Sequence, residues 1–310
     1  MTLGIIIVRG LLSIMFVSGI AAVNSGPLSP AENEELAKTC GMHLSMPSGG
    51  SGGYSIDGTE AKMANQTWLL TIRSKVGGVQ FPKTAAFLIS PRHIMTSAQV
   101  VLNEDMSWRF NNKSIDNCCS FLSRKHGSNN DVPIEALETL EIWDPVKRLD
   151  VKIVKGRMFY LCIQNEHESW TAMIMEISEV ESTRKYPCYI TKQYSDKYEW
   201  GHYVHSYGVG ANGEMIHRKM KLHRIDPYDV WFYIKMSREG FRVTGVDRGG
   251  PLVRIEPDNS SGKALVIGMK QSDENDYNKG VYYFQLGYLE KEVCEFSGVC
   301  WPKPATTPTP

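Results

Sequence analysis

Gly245-Val-Asp-Arg-Gly-Gly-Pro-Leu252 is the stretch on which the reading of this 310-residue chain turns. Taken alone, Gly249-Gly250-Pro251 is a turn signal found in many folds. Its meaning comes from its surroundings. On both sides lie short runs rich in aliphatic and aromatic residues, broken by Gly, Pro and Asn: Thr67-Trp-Leu-Leu-Thr-Ile72, Ala85-Ala-Phe-Leu-Ile89, Trp231-Phe-Tyr-Ile234, Ala264-Leu-Val-Ile267 and Gly280-Val-Tyr-Tyr-Phe284. Runs of this length and composition read as strands. Asn212-Gly213 is a hairpin signal between two of them. Long 3.6-residue periodicity is scarce, with Leu286 to Phe296 the stretch that reads as a closing helix. The body is therefore all-β, and the pattern by itself does not separate a sandwich from a barrel.

The ends of the chain read differently. Met1 to Val8 is short and apolar, Arg9 adds one positive charge, Leu11 to Ile20 is a compact apolar run, and small residues follow. This is the layout of a secretory signal peptide over residues 1–25, with cleavage expected near Ala21 to Ser25. An uncleaved anchor needs about 20 apolar residues, and Arg9 interrupts the run. No later segment is apolar enough to span a bilayer, so the mature protein is expected to be extracellular. An extension over 26–54 holds Ser29-Pro-Ala-Glu-Asn-Glu-Glu-Leu-Ala-Lys38, a capped short helix, then the Gly/Ser link 48–53. Residues 299–310 form a Pro/Thr-rich tail, extended and a candidate for O-glycosylation.

Lys plus Arg and Asp plus Glu each number 34, which gives no general attraction to nucleic acid. The seven cysteines, Cys40, Cys118, Cys119, Cys162, Cys188, Cys294 and Cys300, fit an oxidising compartment. Cys294 and Cys300 are spaced to close a small loop. The odd count leaves one thiol over, for a disulfide-linked dimer or a free group. No Cys-x-x-Cys or Cys/His spacing suggests a metal, and no cofactor motif is present. Asn65, Asn112 and Asn259 begin Asn-x-Ser/Thr sequons.

Further fragments give the opening stretch its meaning. Asp247, Gly249, Gly250, Pro251 and Leu252 match the Gly-Asp-Ser-Gly-Gly-Pro nucleophile loop of chymotrypsin-type serine proteases, and the other fragments fall in that family's order. Ser55-Ile-Asp-Gly-Thr-Glu-Ala61 resembles the activation segment. Phe87 to Gln99 resembles the strand and turn ending in the catalytic histidine, Trp170 to Ile177 the segment carrying the triad aspartate, and Ser206-Tyr-Gly208 a Gly-Trp-Gly turn. The resemblance covers roughly residues 55 to 295. With its Glu32-Asn-Glu-Glu-Leu…Cys40-Gly41 start and Cys294…Cys300 ending, the layout resembles a nematode family of secreted trypsin-like proteins. It implies two packed six-stranded β-barrels with a short C-terminal helix, in a homology domain over 55–298. It also implies an insertion between Gln99 and Thr171 that carries Cys118 and Cys119.

The same resemblance implies that the chemistry is lost. Gln99 stands at the histidine position, Thr171 at the aspartate, Arg248 at the serine, and Val246 at the oxyanion-hole glycine. An arginine forms no acyl-enzyme, and a carboxamide is no base near neutral pH. A β-branched residue resists the backbone conformation that the oxyanion glycine supplies. In comparable triads, loss of nucleophile or base costs on the order of a millionfold in turnover. His93, His202 and His205 read as structural histidines. Ser55 before Ile56 offers no Arg or Lys for activation cleavage, so Asp247 is expected to pair with Arg248 or Arg242. Thr84 and Val100 replace the cysteine pair of the histidine loop.

The leading expectation is a secreted pseudoprotease that binds a protein or surface ligand through Arg242 and Arg248, with defence as one setting. The alternatives are a structural extracellular module and a peptidase with displaced catalytic groups.

Overall fold

The computed structural model describes residues 25–42, 44, 59–60, 67–76, 83–115, 128–161, 171–180, 184–189, 203–209, 215–225, 233–236, 248–255, 263–273 and 281–301. Residues 1–24 of the signal region, the Gly/Ser link, Ser55-Ile56 and the tail beyond Trp301 lie outside them. So do Cys118, Cys119 and Cys162.

In chain order the strands are Thr59–Glu60 (β1), Leu69–Ser74 (β2), Thr84–Ser90 (β3), His93–Ser97 (β4), Ser128–Asp131 (β5), Leu140–Trp143 (β6), Ile153–Leu161 (β7), Ala172–Ile177 (β8), Cys188–Tyr189 (β9), Tyr203–Val209 (β10), Met215–Ile225 (β11), Tyr233–Met236 (β12), Pro251–Ile255 (β13), Ala264–Asp273 (β14) and Val281–Gln285 (β15). They form two sheets. In one, β11, β10, β13, β14, β15 and β12 are joined in sequence, and β12 pairs back onto β11, closing a ring of six antiparallel strands. The short β1 and β9 add to β11 and β14. The other sheet is antiparallel in the order β5-β7-β8-β4-β3-β2-β6, seven strands rather than six because the short β5 lies against β7.

The expected all-β architecture is thus observed, and it ends as the sequence suggests. A 3-10 turn at Leu286–Leu289 leads into the helix Glu290–Ser297, which Gly298 stops at φ +69°. No helix among the described residues is long and apolar enough to cross a membrane.

Strands β3, β4 and β8 are buried at every residue, which is why β3 and β8 run nearly continuously apolar instead of alternating, while β4 also buries His93, Thr96 and Ser97. Each side chain the size of Phe87 or Leu88 contributes about 1.5–3 kcal/mol by leaving water. The sheets meet through Trp68, just before β2, whose ring packs edge-on against Tyr207 of β10 with centroids 5.2 Å apart. The expected turn at Ser206-Tyr207-Gly208 is not one. These residues lie inside β10, where Ser206 Oγ bonds Tyr283 Oη at 2.6 Å, and burial of both faces leaves no room for a turn. The strands flanking Asn212-Gly213 do pair, Val209 opposite Met215, while the dipeptide itself lies outside the described residues.

The extension is an integral part of the body. Its helix, Pro30–Thr39 (α1), starts with a capping box between Ser29 and Glu32 and has proline in its first turn. Arg92, 4% exposed, forks onto Glu32 at 2.8 and 3.1 Å and also donates to the carbonyls of Gly26 and Pro27. That pairing and the Ser29 backbone hold the Glu32 carboxyl down at about 2. Cys40 is disulfide-bonded to Cys188 of β9. Leu28 N donates to Ser297 O at 2.7 Å, and Asn33 both donates to and accepts from the Cys300 backbone. Cys294–Cys300 is the expected small-loop disulfide.

Candidate functional site

The site at the sheet junction is built from the ends of strands. After β4 the chain makes one 3-10 turn, Ala98–Val100, with Ser97 Oγ accepting from Gln99 N. That turn holds Gln99 at 4% exposure. Gln99 Nε2 donates to Thr84 Oγ1 at 3.1 Å, and its Oε1 accepts from Arg248 Nη1 at 3.1 Å. A guanidinium only donates, so the carboxamide oxygen must face Arg248 and its nitrogen Thr84. Arg109 Nε donates to the Gln99 carbonyl at 2.7 Å, fixing the backbone as well. Thr171, just before β8, accepts from Ala98 N through its carbonyl at 2.8 Å. Its hydroxyl is spent on Phe159 O.

Gly249 positions the loop that carries Arg248. Its φ is +82°, and a Cβ there would sit 2.2 Å from Ala85 O and 2.9 Å from Ser97 N. Only a glycine lets the loop of one sheet approach the other so closely. Flanking bonds Gly249 N to Lys270 O at 2.8 Å and Lys270 N to Gly250 O at 2.7 Å hold it there.

Gln99 and Arg248 are therefore in direct contact, with Thr171 tied to the same turn. Arg242, Val246 and Asp247 lie outside the described residues, as do Asn65 and Asn259. Asn112 is exposed in a turn at φ +57°. The sequence reading gave no role to Arg109, which nothing in a motif marks. Thr84 it noted only as a missing cysteine, and its hydroxyl turns out to satisfy Gln99.

His93, His205 and His217 are buried, and His202 lies outside the described residues. His205 Nδ1 and His217 Nε2 are 2.8 Å apart, with stacked rings. Burial holds both down to about 4, with Lys219 adding to the effect at His205 and His205 adding to it at His217. His93 bonds Ser90 Oγ at 2.8 Å, and burial, Arg92 and Lys155 hold it to about 3. With folded values below the ordinary 6.5, unfolded histidines take up protons that folded ones refuse. Stability is expected to be level above pH 6.5 and to fall as pH drops from 6.5 toward 4. Thermal melts across that range check it, and a double His205→Gln/His217→Gln variant should show a shallower fall. A midpoint unchanged between pH 7 and 5 would contradict the burial.

A second concavity of about 720 Å³ lies between α1 and the Pro91–Arg92 turn, lined in part by Leu28, Leu36, Met42, Glu179, Lys185 and Tyr186.

Two antiparallel sheets, a closing C-terminal helix and a glycine-bearing loop driven into the sheet junction define a trypsin-like serine protease homologue. The chain belongs to the nematode trypsin-6-like family, whose model matches residues 10–300. Among solved structures it is similar to the scabies mite inactivated protease paralogue S-I1, with a TM-score of 0.54 and 13% identity over 77% of this chain and 97% of that one. No curated protein matches it.

Proposed function

We propose that this is a secreted protease homologue that binds and does not cleave, with Gln99, Thr171 and Arg248 at the degenerate triad positions. The observation that carries the reading is the Arg248–Gln99 hydrogen bond: the residues at the nucleophile and base positions satisfy each other. Neither a guanidinium nor a carboxamide can start acyl transfer. Thr171, its hydroxyl engaged on Phe159 O, offers no charge to orient a base. The similarity to an inactivated protease paralogue accords with this. Arg248 is partly exposed and, with Arg242, which lies outside the described residues, is the candidate for contacting a protein or surface ligand. The two disulfides among the described residues accord with export, and Asn112, exposed, would be open to a glycan.

The test is a peptide-substrate assay beside a pull-down against active serine proteases, their inhibitors and microbial cell-wall preparations. No turnover above background is expected, and capture should be lost when Arg242 and Arg248 are reversed to Glu. Turnover that survives Arg248→Ala would overturn the non-catalytic reading. Capture indifferent to both arginines would remove the binding edge from the old cleft and direct attention to the α1 concavity.

A further inference from the structure

Gly26 is held in the fold by its backbone. Gly26 N donates to Glu176 Oε1, and Gly26 O accepts from Arg92 Nε at 2.8 Å. From there every step is docked: Pro27 O on Arg92 Nη2, Leu28 N on Ser297 O, and Ser29 as the cap of α1. Ser25, one residue earlier, is exposed. Glu176 is 1% exposed, inside β8, and its other oxygen meets Lys155 Nζ at 3.0 Å. A buried carboxylate is costly unless each oxygen has a strong partner, and a charged donor is a stronger partner than a neutral amide. Lys155 itself is 42% exposed, so the enclosed side of Glu176 faces a neutral N–H.

We infer that the mature chain begins at Gly26 and that its α-ammonium forms an ion pair with Glu176. The inference rests on the secreted reading above. Ser25, directly before the bond, is the small residue that a leader peptidase requires there. Hydrolysis breaks the Ser25–Gly26 amide: the water oxygen goes to the Ser25 carboxylate, and the Gly26 nitrogen leaves as an amine that is protonated near neutral pH. The nitrogen already within hydrogen-bond distance of Glu176 then carries a charge and two further donors. Removing the leader thus exchanges a neutral hydrogen bond for a charged one at a buried acid. The charged neighbours of this point are Lys155 on β7, Arg92 just before β4 and Glu32 on α1, while His93 at the start of β4 is titratable but held neutral by burial.

The first test is N-terminal sequencing of the protein recovered from the medium of secreting cells. A Gly26 start supports the pair, and a secreted chain beginning elsewhere overturns it while leaving secretion intact. Intact Met1 retained in cells overturns both readings. The second test titrates the α-amine of the folded protein by pH-dependent acylation, in the native chain and in Glu176→Gln. The native α-amine is expected to titrate about one unit or more above the variant, as a carboxylate in contact requires. Equal values overturn the pair. If the variant does not fold, a chain made to begin at Ala22 replaces it, and its thermal midpoint should lie below that of the Gly26 chain. Equal midpoints in that comparison also overturn the pair.

Discussion

Gly249→Ala is expected to lower the free energy of unfolding by about 4 kcal/mol, at the severe end for a single methyl group. Two costs add. The φ of +82° disfavours any side chain, and the new Cβ would stand 2.2 Å from Ala85 O, 2.9 Å from Ser97 N and 3.0 Å from Thr96 Oγ1. Two of those atoms are backbone of β3 and β4 and cannot swing aside, and Thr96 Oγ1 is itself bonded to Ala85 O at 2.9 Å. Relief has to come from the loop, which pulls Gly249 off Lys270 and Arg248 off Gln99. Gly156→Ala is the control: its methyl meets Leu137 Cδ2 and Met173 Cε at 3.1 Å, ends of flexible side chains, and should cost about 1 kcal/mol. Urea unfolding of the two variants measures the contrast. Equal losses would mean that the sheets do not meet at Gly249 as described.

Cys40→Ser/Cys188→Ser should cost about 5 kcal/mol, because the bridge closes a loop of 148 residues and removing it restores that loop's freedom to the unfolded chain. On the native side little changes. Arg92, Asn33 and Lys263, whose Nζ donates to Ala37 O at 2.7 Å, still hold α1. The expected signature is a large drop in unfolding midpoint with the extension still resistant to limited proteolysis in native buffer. A loss under 1 kcal/mol, or early nicking of α1, would reverse that assignment of roles.

The strands with short apolar runs were legible because burial on both faces leaves its mark residue by residue, as in Ala85-Ala-Phe-Leu-Ile89. Strand β11 was harder. Met215-Ile-His-Arg-Lys-Met-Lys-Leu-His-Arg-Ile225 is crowded with basic residues, and its place in the six-strand ring comes from partners far along the chain. The docking of the extension was not legible at all. Arg92 meets Glu32 across 60 residues and Asn33 meets Cys300 across 267, separations at which no local pattern records a contact. The Cys40–Cys188 bridge was hidden for a simpler reason, since seven cysteines allow many pairings and spacing singles out only Cys294 with Cys300. At the site, motif order brought Gln99 and Arg248 to notice, but their hydrogen bond depends on Gly249 allowing two sheets to touch.

The fastening of Leu28 to Ser297 and of Asn33 to Cys300 makes the molecule, mechanically, a closed hoop. Tension applied between its two ends is carried first by those few bonds, and no strand pair feels the load until they part. A load applied between Trp301 and the start of the extension is therefore expected to spare the sheets until those bonds give way.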